Sequence, residues 1–539
     1  MQRSGDDAVT HKRKPQVIGV AISGGGHRAT AYGLGVLLYL VDAGLNRKVG
    51  TITSVSGGSI LNAFVALLRS ADGAAPRSFR SYSPGEFDVP AAHLAHLLAG
   101  SRKVWIVSMA AAIFAAGTAV AATVLWEVDG MASLLALALF LLGISCLIGP
   151  KSGGTLWGWW GSWFYCCAIA WILAAGWISG ARTEAWGACL SVSVLLSGYL
   201  LLQRHRVAEA AFEHAICKPL RPDPRRWITR RTTLEEMGTD VRHVFCATEM
   251  HSGQHAYFSH DFVYARGFGL GRPAALPVAT AIQVSANFPG GFPIRPLRAS
   301  RFGFFLTDRF EDAIEKDIQS GRDILMPDED IAWSHANQEF APIRPLPDWL
   351  MLSDGGVFDN LAVDWFLENK ARLARFLMHL NWDYDADHQH WKKAKRSKSV
   401  LAPFGDRSDT LIVVNAGITA HWQRSASVAV ALPYIGEMIG LSQISGTMYN
   451  NYTKGRIAAL REHLVLELGF AERLVRTTLL PLGEAVTAQL MQAGYRDAMY
   501  AASRRFDQPV FEENSHYFND LARGKHSART LMPVERFGQ

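Results

Sequence analysis

The stretch of this chain that most constrains its fold is Val17 to Ser59, where two short apolar runs each end in a glycine-rich corner that leads into a helical run. Val17-Ile18-Gly19-Val20-Ala21-Ile22 is brief and β-branched, as a buried strand is. Ser23-Gly24-Gly25-Gly26-His27-Arg28 follows, and three glycines in a row let backbone N–H groups converge on one point ahead of the helical run Ala29 to Asp42. Such a loop makes an anion pocket. A second strand, Gly50 to Thr53, runs into Ser54-Val55-Ser56-Gly57-Gly58-Ser59 and then into the apolar Ile60 to Leu68. Strand, tight corner with Ser56 at its tip, and helix form the outline of a nucleophile elbow.

After Arg102-Lys103 the chain changes character. Between Val104 and Gln203 the charged residues are Glu127, Asp129, Lys151, Arg182 and Glu184, and they fall between four apolar runs: Val104 to Trp126, Met131 to Gly149, Leu156 to Ile178 and Ala185 to Leu202. Each run has about twenty residues, enough for a helix to cross roughly 30 Å of hydrocarbon. Tryptophans 105, 126, 157, 177 and 186 lie at run ends, where amphipathic rings favour the headgroup layer. Four spans return the chain to its starting side. Arg102, Lys103, Lys151, Arg204 and Arg206 flank that side, so the positive-inside rule puts both remaining halves in the cytosol. A soluble bundle of buried helices is the competing reading, disfavoured because so little charge is left to face water.

Length bears on this division: 539 residues at 49% hydrophobic content suit two structural units. The net charge of +6 and pI of about 8.9 are too evenly spread to argue for nucleic acid and suit an anionic membrane surface. Six cysteines without a CxxC pair read as buried thiols in a reducing compartment, and no secretory signal opens the chain.

Beyond the apolar runs, Arg204 to Arg231 reads as a short amphipathic helix over Val207 to Ile216 and a linker, either near a membrane surface or solvated. Strands are expected at Val244 to Thr248 and His255 to Phe258, and a helix over Pro277 to Ser285. Asn287-Phe288-Pro289-Gly290-Gly291-Phe292-Pro293 is a stiff apolar loop that lines an acyl pocket or is simply a packed turn. Ser300 to Pro347 resembles an inserted loop. A strand, Trp349 to Ser353, ends in Asp354-Gly355-Gly356, which places a carboxylate where open α/β sheets carry functional groups. A basic loop with Lys392, Lys393, Lys395, Arg396 and Lys398 precedes the strand Thr410 to Asn415. From Leu441 the spacing is helical, with Ile457, Leu460 and Leu464 on one face, and the last thirty residues read as a loosely packed tail.

A serine hydroxyl needs a base to become a nucleophile, and a buried carboxylate can serve without histidine. Asp354 is the candidate base for Ser56. The N–H groups of Gly24, Gly25 and Gly26 are candidates to hold the oxyanion of an attacked ester, with Arg28 supporting the loop or adding positive charge near it. His27 is a weaker candidate base, since it belongs to the anion loop itself. The loop fits neither the dinucleotide fingerprint nor a P-loop. Singly, each feature is as well explained by a turn or a structural serine.

In combination and in order, Gly24-Gly25-Gly26-His27-Arg28, Ser54-Val55-Ser56-Gly57-Gly58 and Asp354-Gly355-Gly356 resemble the motifs of patatin-like phospholipases. Cys246 to Glu249 and Ser285 to Pro293 are similar to further segments of that family, and Ser54 departs from it by replacing the first glycine of the elbow. The resemblance implies an α/β fold, a three-layer α/β/α patatin-like sandwich here interrupted by a transmembrane helical insertion. It further implies a Ser56–Asp354 pair, metal-free and cofactor-free hydrolysis of lipid acyl esters, and a membrane phospholipid or related substrate. The expected division is a basic tail at 1–16, a first half-domain at 17–101, the insertion at 102–206, a linker at 207–241, a second half-domain at 242–455 and C-terminal helices with the tail at 456–539. An acyl thioesterase or another soluble-substrate hydrolase, or an inactive membrane scaffold, is the alternative.

Overall fold

The computed structural model describes residues 17–69, 76–100, 204–220, 231–265, 268–288, 292, 294–304, 347–369, 382–385, 390–393, 408, 410–417, 457, 460, 463–469, 472, 475, 481–512 and 514–525. The fold is mixed α/β around one central sheet whose middle is parallel. Strands β1 (Ile18–Ile22) and β2 (Val49–Ser54) pair in parallel, and β3 (Arg242–Glu249) continues beside β2. On the other side of β1 come β11 (Thr410–Asn415) and β12 (Leu464–Glu467), again parallel. Beyond β3 the chain doubles back through β4 (Gln254–Phe258), β5 (Val263–Ala265) and β6 (Gly269–Gly271). The antiparallel pair β7 (Arg295–Arg298) and β8 (Trp349–Asp354) joins the sheet through β3. A separate hairpin, β9 (Trp382–Asp385) and β10 (His390–Lys393), lies off this sheet.

The parallel strands read as unbroken apolar runs because both faces are covered. Ile18, Val20 and Ile22 enter one hydrophobic cluster while Ala21 enters the other, and Ile412 and Val414 alternate with Leu411 and Val413 in the same way. Helix α1 (His27–Asp42) follows β1, and α2 (Gly57–Ala66) follows β2. Helices α3 (Asp88–Ala99), α4 (Arg204–Phe212) and α5 (Val278–Ser285) pack into the larger cluster. So do α6 (Glu484–Phe506) and α7 (Ser515–Ala522) near the C-terminus.

One topological detail positions everything that follows. β2 and β8 run toward each other along the β3 ladder: β2 ends with Ser54 opposite Phe245, and β8 ends with Asp354 opposite Ala247. Only Cys246 separates the two levels. Gly355 packs there against the Cys246 carbonyl and the Val55 side chain. The corner after β2 and the carboxylate closing β8 are thereby brought face to face.

Helix α6 crosses α1 at backbone contact. A Cβ on Gly494 would lie 2.0 Å from the Tyr32 carbonyl oxygen, and one on Gly35 would lie 1.9 Å from that of Met491. Tyr32 Oη donates to Asp497 and Tyr495 Oη to Asp42, each at 2.8 Å, on either side of the crossing. Gly494→Ala is expected to cost about 1–3 kcal/mol, because backbone rather than a movable side chain stands in the way. A lowered urea midpoint at unchanged m-value is the measurement.

Several expectations change. Leu464 opens β12 rather than continuing a helix, since a short apolar run such as Leu464-Val465-Leu466 carries no decisive period. The tail is packed as far as Ala522: Phe511, Tyr517, Phe518 and Leu521 are buried, and Tyr517 Oη donates to Asp88 at 2.6 Å. Lys392 and Lys393 belong to β10 rather than to a loop. The helix after residue 203 runs Arg204–Phe212 and packs on the protein, with Glu209 buried between Arg231 and Arg295. Among the described residues no helix is long and apolar enough to cross a membrane. The four apolar runs at 104–202, the stretch 305–346 and Lys395, Arg396 and Lys398 lie outside the described residues.

Candidate active site

Ser56 sits between β2 and α2 with φ 52° and ψ −123°, a conformation uncommon for any residue with a side chain. It persists because its surroundings fix it. Ser56 N–H donates to both the main-chain oxygen of Ser285 (3.0 Å) and its hydroxyl (3.1 Å), while Val55 N–H donates to Ile22 O (3.1 Å). Gly57 approaches the anion loop so closely that a Cβ there would fall 1.9 Å from Gly26 O. The hydroxyl is left half-buried at the tip of the corner.

Asp354 is buried where β8 stops. Its Oδ1 accepts the Gly356 N–H at 2.7 Å, and Oδ2 is buried without a hydrogen bond of full geometry. Burial pushes its pKa from 3.8 up to about 7, against the Gly356 N–H and the Ser56 hydroxyl, both of which pull it down. The Ser56 hydroxyl is thus close enough to act on the carboxyl while falling short of an ideal bond, as happens in substrate-free sites. A carboxyl that titrates near neutrality beside a hydroxyl is a usable base.

The C-terminal end of α5 holds both partners at once. Ser285 takes the Ser56 N–H, and its own hydroxyl donates to Cys246 O at 2.6 Å, in the gap between the opposed strands. Two residues on, Asn287 O accepts the Asp354 N–H at 3.0 Å, and Asn287 Nδ2 donates to Leu352 O at 3.2 Å. The sequence points to the helix and to a stiff loop after it, but not to the hydrogen bonds by which Ser285 and Asn287 hold the two partners.

The three loop glycines separate by role. Gly24 N–H is already donated to Asn360 O at 3.0 Å. Gly25 (φ 146°) and Gly26 (φ 60°, ψ −150°) lie in backbone regions that favour glycine, and neither N–H has a partner among the described residues. Gly57 N–H, at the start of α2, is unspent in the same sense. That third donor was absent from the sequence reading, although the residue after an elbow nucleophile is the place to look. Arg28 is fully buried and donates through Nη1 to Val475 O and through Nη2 to Ala416 O, each at 2.6 Å. It anchors the loop to the C-terminal part of the chain. His27 is buried as the first residue of α1.

Behind the corner runs a buried polar chain. His243 Nδ1 is 2.7 Å from Asn62 Oδ1, Asn62 Nδ2 donates to Ser54 Oγ at 2.8 Å, Ser59 Oγ donates to Ser54 Oγ at 2.9 Å, and Ser59 and Ser285 hydroxyls are 2.8 Å apart. Burial holds the His243 pKa down at about 3, so the ring stays neutral and Nδ1 is the donor to the amide oxygen. Ser54, the departure from the family's glycine, is the hub of this chain. Ser54→Gly is therefore expected to cost about 1 kcal/mol, by removing the shared acceptor of Asn62 Nδ2 and Ser59 Oγ, which fall back on Ile52 O and Val244 O and on Ser285 Oγ. Chemical denaturation of the two proteins side by side reads this directly.

Neither a protein-family model nor a curated protein matches the chain.

Proposed function

We propose that this protein is a serine lipid acyl hydrolase that works through Ser56 and Asp354. The observation that carries the proposal is the end-to-end meeting of β2 and β8, which sets a strained, half-exposed serine against a buried carboxyl titrating at about 7, beside unspent N–H groups. In this reading Asp354 takes the proton of Ser56 Oγ as that oxygen attacks the ester carbonyl. The carbonyl oxygen becomes an oxyanion held by the N–H groups of Gly25, Gly26 and Gly57, each such donor being worth about 3 kcal/mol of transition-state stabilisation. Collapse expels the alcohol, which leaves with the proton that Asp354 took. Asp354 then deprotonates a water as it attacks the acyl-Ser56 carbonyl; the Oγ–acyl bond breaks, Ser56 Oγ takes that proton back from Asp354, and the fatty acid leaves. Gly24 and Arg28 hold the loop in place.

The finer fold assignment, a patatin-like three-layer sandwich divided by four spans within residues 102–206, belongs to the same proposal. It is supported by the motif order and by the apolar runs in the sequence. It makes the protein multi-pass, with its catalytic halves at the cytosolic face and phospholipid or related acyl esters as substrate. The test is fatty-acid release from mixed phospholipid vesicles, identified by mass spectrometry, together with fluorophosphonate labelling mapped to Ser56. A purified, folded protein that neither releases acyl chains nor labels would retire the hydrolase reading.

A further inference from the structure

Among the described residues seven large apolar side chains are exposed, and five of them lie on β8 or on segments next to β3, β7 and Asp354: Trp349 opens β8, Met250 follows β3, Ile294 precedes β7, and Phe288 and Val357 flank the Asp354 turn. A scatter of single exposed residues needs no explanation, but a cluster does. The register shows how it arises. β8 enters from beyond the sheet edge, so Trp349 stands five residues past Asp354, roughly 16 Å at the usual strand rise. On the inward face of this projecting flank Leu297, Leu350 and Leu352 are buried. On the outward face Pro296 pairs with Met351, Arg298 pairs with Trp349, and Met250 N–H bonds Met351 O at 2.8 Å. Pro296, Arg298 and the flanking Ile294 are exposed. Val357 and Phe288 extend the patch toward the catalytic pair: Val357 follows Asp354 by three residues, and Phe288 follows Asn287, whose oxygen holds the Asp354 N–H.

We infer that this flank docks on the headgroup layer of a phospholipid bilayer and delivers the site to its ester. The choice of lipid as occupant rests on the hydrolase reading above. The chemistry of the exposed side chains supports it. The Arg298 guanidinium lies 5.2 Å over the Trp349 ring, a cation and an amphipathic ring together, as suits the interface between water and acyl chains. Among the described residues of the flank, exposed Arg298 and Arg301 stand beside one exposed acid, Asp348, while the connection 305–346 between β7 and β8 carries ten acidic and four basic residues in sequence, so ring and apolar chemistry rather than net charge selects the occupant.

The experiment uses the full chain reconstituted in phosphatidylcholine vesicles containing phosphatidylglycerol and a nitroxide-labelled lipid. An environment-sensitive fluorophore is placed on Ile294→Cys, or, as a reference, on Tyr500→Cys, an exposed position on α6 away from the flank. Quenching at 294 is expected to exceed that at 500 severalfold and to fall in a Met250→Ser/Trp349→Ser background. In the same background the ratio of vesicle-lipid turnover to turnover of a water-soluble short-chain ester is expected to drop about tenfold. Equal quenching at both positions overturns the inference, as does a 294 probe that is dry yet unquenched, which would mean a protein covers the face. Because quenching needs no turnover, it is repeated with Ser56→Ala. Quenching without any hydrolysis by the wild type retires the hydrolase and leaves the docking face, whereas hydrolysis without quenching does the reverse.

Discussion

Ser56→Ala is expected to lower ester turnover by about four orders of magnitude, the usual loss when an activated nucleophile is removed. The fold should not register the change. The bonds that shape the corner come from the Ser56 N–H and its neighbours' backbone, and alanine adopts φ 52° at the same cost as serine. The Cβ that packs near Gly24 is kept. Fatty-acid release and thermal unfolding, measured on one preparation, separate the two quantities. Alanine enzyme that turns over like wild type would end the covalent mechanism, while a large fall in melting temperature would mean the hydroxyl has a structural duty not seen here. Residual turnover above the uncatalysed rate is what the unspent N–H groups supply alone.

Asp354→Asn is the second large effect, and it should move activity and stability in opposite directions. Turnover falls by about three to four orders of magnitude, since an amide cannot accept the Ser56 proton. Wild-type kcat/KM rises with pH to a plateau, with its midpoint near the Asp354 pKa of about 7, and the variant lacks that limb. Stability follows from the same burial. In the unfolded chain the carboxyl ionises near 3.8 and in the folded protein near 7, so between these values the folded state holds a proton the unfolded chain has released. Stability from this group is full below the lower value and is lost as pH rises through the upper one. Asparagine keeps an acceptor for Gly356 N–H and never ionises. The variant should therefore match wild type near pH 4 and exceed it at about pH 8 by a few kcal/mol. Equal unfolding curves at both pH values would show that Asp354 is solvated and ionised at neutrality, and so a poor base.

How far the sequence alone could be read depended on the range of each interaction. β1, the Ser56 corner, α1, α2, α5 and β8 were legible because each is set by a local signal: a β-branched run, a glycine cluster, a helical period. Asp354 was legible as a carboxylate at a strand end. What it faces was not, because the opposed course of β2 and β8 along β3 is a long-range pairing with no local signature. For the same reason Gly24 could not be told from Gly25 and Gly26: its N–H is taken by Asn360, in a distant loop. Ser54 looked like an imperfect match to a glycine, and only the packing of Asn62 and Ser59 makes it a hub. Beyond Leu441 a helical period was assigned to residues that include an edge strand, and polarity hid the aromatic anchors Phe511, Tyr517 and Phe518 of a packed terminus.

The anchoring of the anion loop by Arg28 also says something about biosynthesis. Arg28 and its acceptor Ala416 are 388 residues apart, and β11, which flanks β1, is made just before Ala416. At roughly 5–20 residues per second a ribosome needs roughly 20–80 s to cover that distance. During that interval the serine corner and the glycine triplet are tied to each other by the β1–β2 pairing and by Thr30 Oγ1 donating to Gly57 O, but the Arg28 side chain lacks both of its acceptors, Ala416 O and Val475 O. Products terminated before Ala416 would lack this anchor, and under the proposed hydrolase function turnover is expected only from chains that extend beyond Val475.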